Sequence, residues 1–260
     1  MNTIISVADL SFKYNNDEIL KNINFEIEKG SFISILGPNG SGKTTLLKNI
    51  CNLLEPYNGS IFIDNEDIKD IKYKELAKEM AVVHQNDDLD FDFSVYDIVA
   101  MGRYPYLKRF QKESSHDFDI IKKAMIDTEV WNLKDKNIKE ISGGEAQRVM
   151  VARALTQQPE ILILDEPISH LDIKHQIGIL SLCKKLNREN NITILMTIHD
   201  INLAGKYSDH IILINNGKIE SIDTPKNVLT EENIEKVYGV EVEIINMGSD
   251  KVPYIVPLAI

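Results

Sequence analysis

The eight residues Gly37-Pro38-Asn39-Gly40-Ser41-Gly42-Lys43-Thr44 constrain this chain more than any other stretch. They fit the phosphate-binding pattern G-x-x-x-x-G-K-[S/T]. The apolar run Ser31–Leu36 before them reads as a buried strand, and Thr45–Ile50 after them reads as the start of a helix. Strand, glycine-rich loop and helix in that order is the context the pattern requires. Glycines let peptide N–H groups turn inward around phosphate oxygens, and the helix N-terminus adds the positive end of its dipole. In that frame Lys43 reaches the β- and γ-phosphates and the Thr44 hydroxyl ligates Mg²⁺. The expected ligand is a nucleoside triphosphate. A glycine-rich turn that binds nothing has no need of Lys-Thr after its last glycine.

The chain's 260 residues suit one large domain, or a core with a smaller companion. Its 29 Lys and Arg against 40 Asp and Glu leave a net charge of −11, which argues against a general binder of nucleic acid or anionic lipid. Cys51 and Cys183 stand in no metal or redox spacing and read as two reduced thiols. The start, MNTIISVADL, has neither the basic segment nor the apolar stretch of a signal peptide. No apolar run approaches the ~20 residues that cross a bilayer. If the protein works at a membrane, another chain must hold it there.

Short bursts of apolar and polar alternation at Ile4–Val7 and Ile23–Ile27 read as strands, as do Ser31–Leu36, Ser60–Ile63 and Met80–His84. From Ser94 the character turns helical: Ser94-Val95-Tyr96-Asp97 is a capping-box pattern, and Phe118–Val130 and Ser142–Gln157 carry helical spacing. Strands return at Ile161–Leu164 and Ile192–Thr197. Asn215-Asn216-Gly217 marks a hairpin between Ile211–Ile214 and Lys218–Ile222. Thr224-Pro225 and Thr230 open short helices, Gly239 stops the second, and Val240–Ile245 and Val252–Val256 suit a last hairpin. The expected partition is an α/β core over 1–86 and 158–223, a helical insertion over 87–157, and an appendage over 224–260.

Two further motifs carry chemistry. Ile161–Leu164 ends in Asp165-Glu166. α/β sheets bind ligands at the carboxyl ends of their strands, so Asp165 is placed to hold Mg²⁺ and Glu166 to polarise an attacking water as general base. Ser142-Gly143-Gly144-Glu145 is a capping box with two glycines exposing peptide N–H groups. It makes a second anion-facing element in the same chain, which suggests that two chains share each nucleotide.

With these residues in place, the chain resembles the ATP-binding subunits of ABC transporters. The phosphate loop is GPNGSGKTT, Gly37 to Thr45; the signature loop is ISGGEAQR, Ile141 to Arg148; the magnesium strand is ILILDEP, Ile161 to Pro167. Ser169-His170-Leu171-Asp172 matches the short loop that follows, His199 the switch histidine, Gln85 the glutamine loop, and Tyr14 the aromatic that stacks on adenine. The pattern departs mildly at Ile141, usually Leu, and at Ile168, usually small or hydroxylic. The resemblance implies a P-loop α/β core with an antiparallel β subdomain and a helical subdomain, binding ATP and Mg²⁺. It implies two copies head to tail, with ATP between Lys43 of one and Ser142 of the other. Thr44, Gln85 and Asp165 would arrange the metal, Glu166 would activate water, and His199 would sense the γ-phosphate. Met101-Gly102-Arg103-Tyr104-Pro105-Tyr106 and the tail Val237-Tyr238-Gly239-Val240 resemble importers of iron–siderophore, haem or cobalamin. Permease subunits in the membrane and a substrate-binding protein would be separate chains, with this one on the cytoplasmic face. Phe91, Phe93, Tyr96, Tyr104 and Tyr106 either meet a permease or pack the helical region itself. A zinc, manganese or other small-solute importer is the alternative cargo class. A nucleic-acid ABC ATPase is disfavoured by the acidic charge and by the lack of long heptad segments.

Overall fold

A computed structural model describes residues 2–84, 92–108, 111–247 and 252–258. In chain order it contains β1 (Thr3–Tyr14), β2 (Asp17–Glu28), β3 (Phe32–Leu36), α1 (Lys43–Ile50), β4 (Asn58–Ile63), β5 (Glu66–Asp67), α2 (Tyr73–Glu79), β6 (Met80–Val83), α3 (Val95–Ala100) and α4 (Ser115–Asp127). There follow α5 (Gly143–Leu155), β7 (Ile161–Leu164), α6 (Ile173–Asn190), β8 (Thr193–Thr197), α7 (Ile201–Tyr207), β9 (His210–Asn215), β10 (Lys218–Asp223), α8 (Pro225–Val228), α9 (Glu231–Tyr238), β11 (Val242–Met247) and β12 (Val252–Pro257). The chain divides into two compact units, one of residues 1–71 and 193–260, the other of 72–192. The expected partition divides the chain elsewhere, at 86/87, 157/158 and 223/224. In the contact units β6, β7 and α6 group with the helical stretch, and the last 37 or so residues group with the phosphate loop.

In the first unit β2, β1, β4 and β5 form an antiparallel sheet, and β11 and β12 pair as a hairpin. β3 lies between β8 and β9 and runs parallel to both, with β10 antiparallel on β9. All five residues of β3, and all five of β8, are buried. Such continuously buried, mostly apolar runs are what a parallel strand covered on both faces needs. The register decides where function sits. Ile35 pairs Thr197 on one side and Ile212 on the other. Gly37 and His199, each two residues further on, therefore emerge at the same carboxyl edge from adjacent strands, which lie roughly 4.8 Å apart. That edge is where sheets of this kind bind ligands.

In the second unit β6 and β7 pair in parallel, Val83 opposite Leu164, and the Asp165 N–H extends the ladder to the Val83 carbonyl at 3.0 Å. α3, α4 and α5 each begin with a complete capping box, on Ser94/Asp97, Ser114/Asp117 and Ser142/Glu145. The Ser114 box starts α4 at Ser115, three residues before the expected Phe118, and the helix ends at Asp127. α6, at 18 residues the longest helix among the described residues, has no counterpart among the expected elements. Its signals are Asp172 at the N-cap and buried apolar residues at 179, 182, 183 and 186, a spacing that repeats one helix face. Both cysteines are buried, and burial pushes the Cys183 thiol up to about 12, out of reach of ordinary thiolate chemistry. No helix among the described residues is long and apolar enough to cross a membrane.

Candidate nucleotide site

The phosphate loop is held by backbone geometry that only glycine allows. Gly37 has φ +155°, and a Cβ there would lie 2.2 Å from the Ile214 carbonyl oxygen. Gly42 has φ +105° and sits against Leu20 and Ile19 of β2. The β9–β10 turn packs beneath: the Gly217 N–H donates to the Ser41 carbonyl at 3.1 Å, and the Lys21 N–H to the Gly217 carbonyl at 2.8 Å. The hairpin turn legible at 215–217 is thus a support for the loop. Lys43 is 6% exposed, its ammonium folded onto the Gly37 and Pro38 carbonyls at 2.8 and 3.1 Å. Gly42 precedes α1 with no side-chain cap, so nothing from a side chain competes for the dipole end there. The Ser41 hydroxyl is buried without a hydrogen-bond partner. An orphaned buried hydroxyl within a glycine-rich loop before a helix fits a phosphate ligand. Asn39 and Gly40 stand at the exposed rim, and a Cβ at Gly40 would meet nothing within 4 Å. Thr44 and Thr45 lie in the first turn of α1, Thr45 buried.

Around the loop, Tyr14 ends β1, 44% exposed as a residue, with its ring in an edge arrangement with Phe12 at 4.9 Å between centroids. This leaves a ring face available for stacking. His199 is exposed just past β8, followed by Asp200, which caps α7 through the Leu203 N–H at 2.9 Å. Tyr238, at the end of α9, presents its hydroxyl to the Gly37 N–H, and burial pushes that phenol up to about 12. The sequence places Tyr238 only in a tail motif; its approach to the phosphate loop needs the fold to be seen.

In the second unit Asp165 is buried immediately after β7. Glu166 follows with φ +51°, a left-handed conformation uncommon for a residue with a Cβ. The Ser169 N–H and hydroxyl both donate to the Glu166 carbonyl, at 3.1 and 2.9 Å, and hold that turn. Strain kept in place by hydrogen bonds is frequent where a side chain must be aimed. Ile168 is buried, so its bulk is absorbed inside. Ser142 caps α5 as expected: its hydroxyl donates to Glu145 Oε2 at 2.7 Å and accepts the Glu145 N–H at 3.3 Å. The Ser142 hydroxyl and N–H hold the Glu145 carboxyl below its usual range. Gly143 is open, with a Cβ there meeting only Leu171 at 3.8 Å. Asp172 caps α6 and accepts from His175. Gln85 lies outside the described residues, as does Phe91.

Met101–Tyr106 contributes interior scaffolding through Gly102, Arg103 and Tyr106. A Cβ on Gly102 would sit 2.0 Å from the Thr156 hydroxyl. Arg103 is buried, donating to Asp117, to the Thr156 carbonyl and to Gln158. The Tyr106 hydroxyl donates to the Gln157 carbonyl at 2.7 Å, and Tyr96 lies in a ring cluster with Phe118. Tyr104, 61% exposed, is the aromatic of this set that faces outward among the described residues.

The ABC transporter family model matches residues 20–169. The ferric enterobactin transport ATP-binding protein of Escherichia coli is 38% identical over 96% of this chain and 92% of its own length. Among solved structures, a transporter described as of metal-chelate type, in an inward-facing conformation, matches with a TM-score of 0.88 and 29% identity, covering 100% of this chain and 98% of that one. A dimeric bacterial ABC transporter cassette matches with a TM-score of 0.74 and 31% identity, covering 85% of this chain and 98% of that one. The chain belongs to the ATP-binding subunits of ABC transporters, with the P-loop ATPase cassette fold. It is an ATP-binding, ATP-hydrolysing subunit of a class whose cassettes dimerise and associate with transmembrane partners.

Proposed function

We propose that this protein is the ATPase subunit of an importer for a metal chelate, an iron–siderophore, haem or cobalamin complex, working as a homodimer on the cytoplasmic face of its permease. The observation that supports the reading is that one chain carries two glycine-bearing helix starts, the loop at 37–44 opening α1 with no side-chain cap and the Ser142-capped loop at 142–144 opening α5. Each nucleotide then lies between the phosphate loop of one copy and the signature loop of the other, with Tyr14 stacked on the base. The chemistry is chiefly positioning and charge neutralisation. Lys43 leaves the loop carbonyls for the phosphates, and the Ser41 hydroxyl gains the partner it lacks. Glu166 takes a proton from the attacking water, His199 contacts the γ-phosphate, and Asp172 borders the nucleotide at the seam with the second copy. The hard oxygen donors of Thr44, Asp165 and Gln85 suit Mg²⁺, which when bound would offset the charge of the phosphates. Gln85 carries nucleotide state toward the permease.

The cargo class is supported by the named relative and by the likeness to a metal-chelate type transporter along the whole chain. Deleting the gene and measuring uptake of labelled ferric siderophore, haem, cobalamin and zinc separately tests it. Loss of one chelate's uptake is the expected result. Loss of zinc uptake alone would overturn it in favour of a zinc or manganese importer.

A further inference from the structure

Gly143 and Gly144 open α5, and neither has positive φ. Gly144 is glycine for another reason. A Cβ there would lie 2.2 Å from Cδ2 and 2.5 Å from Cγ of His175, on α6. The imidazole of His175 lies against the start of the signature helix. Its Nδ1 is 3.0 Å from Asp172 Oδ1, and its own peptide N–H donates to the same oxygen at 3.0 Å. One side chain thus touches both segments expected to meet the second copy. A reciprocal contact lies one turn further along. Arg148 of α5 covers Gly178 of α6, whose Cβ would be 2.9 Å from Nη2. Arg148 is itself fixed by the Thr128 carbonyl and by Glu129, at 3.3 and 2.9 Å. Each helix fills the other's glycine gap, His175 on Gly144 and Arg148 on Gly178. The Arg148 rung braces the helix bodies; the His175 rung braces the two loop ends.

We propose that His175 is a positioning residue that locks the signature loop, Ser142–Gly144, to the loop carrying Asp172, so that both reach the partner copy as one surface. The inference rests on the shared-site reading above. The geometry favours it because the ring spans two chain segments about thirty residues apart and hydrogen-bonds a carboxylate that already caps α6. A side chain needed only for packing on Gly144 would not require a nitrogen aimed at Asp172.

The test uses the full chain carrying Glu166→Gln, in which ATP and Mg²⁺ should hold the dimer. Dimer dissociation is measured by sedimentation for this parent and with His175→Ala or His175→Asn added. The Ala variant should weaken the dimer roughly 10- to 100-fold, the scale of losing one hydrogen bond to a charged group. ATP binding to the monomer, which uses the Lys43 loop, should not change. The Asn variant, whose amide N–H stands where Nδ1 stood, should recover most of the loss. In the chain with Glu166 intact, the Ala variant should lower kcat and leave KM for ATP in place. Gly144→Ala should be damaging alone and add little once His175 is Ala, because the clash is gone. A dimer as tight with Ala as with His, or an Asn variant as weak as Ala, would overturn the proposal. A parent that stays monomeric in ATP would overturn the shared-site reading itself.

Discussion

Glu166→Gln should slow ATP hydrolysis by roughly 10²- to 10⁴-fold, the usual contribution of a positioned general base. Glutamine keeps the size and shape of the side chain but cannot accept the proton of the attacking water. The left-handed turn that aims residue 166 is held by backbone and hydroxyl bonds from Ser169 to a main-chain carbonyl, so the substitution leaves it in place. Nucleotide binding should persist, since in the proposed site the glycine loop and Lys43 hold the phosphates. The ATP-bound dimer should accumulate because the step that opens it is blocked. Steady-state phosphate release and size-exclusion elution with ATP and Mg²⁺ check both parts. Near-normal turnover would remove Glu166 from this role.

Asp117→Asn should destabilise the protein by about 3–5 kcal/mol, the cost of leaving one member of a buried ion pair uncompensated. One Asp117 oxygen accepts from Arg103 at 2.8 Å; the other accepts the Ser114 hydroxyl at 2.6 Å and the Ser114 N–H at 2.9 Å. Arg103 is buried against the Tyr106 ring, 3.8 Å from its centroid, and cannot reach water when its partner goes. The Ser114 hydroxyl first, then its N–H and the Arg103 guanidinium, hold the Asp117 carboxyl at about 2, against 3.8 when unperturbed. A depressed carboxyl stabilises the fold above its unfolded value and loses that contribution as pH falls toward its folded one. The gap between wild type and Asp117→Asn should therefore stay constant from neutral pH down to about 4 and narrow only below it. Urea unfolding at pH 7, 4.5 and 3 measures this; equal stability of the two proteins at pH 7, or a gap at pH 3 as wide as at pH 7, would contradict it.

The same segment shows where sequence reading stops. Met101–Tyr106 reads as a subfamily mark, and its aromatics as either docking or packing residues. The fold spends Gly102, Arg103 and Tyr106 on closing α5 against the chain before α4. The phosphate loop was legible because its chemistry is local: glycines, a lysine and a threonine at fixed offsets, between a strand and a helix. The Ser142–Glu145 capping box was legible for the same reason, since both partners lie within one helical turn. Gly144 was legible as a glycine but not in its cause, since His175 lies on another helix and nothing local pairs them. The support that Gly217 gives Ser41, and the approach of Tyr238 to Gly37, are likewise contacts between distant segments. α6 escaped because Gly178 and its polar ends dilute a pattern that is regular only from Ile179 onward.

In the proposed dimer two copies of this chain share each nucleotide. Lys43→Ala disables only the phosphate loop, and Ser142→Arg disables only the signature loop by bulk and misplaced charge. A dimer of either variant alone has no site with both elements intact. A mixed dimer has one. The measurement is nucleotide trapped per dimer, with both chains also carrying Glu166→Gln and separately tagged so that mixed dimers can be isolated. One ATP per mixed dimer and none in either homodimer is the predicted result. Isolated mixed dimers that trap no nucleotide would contradict it.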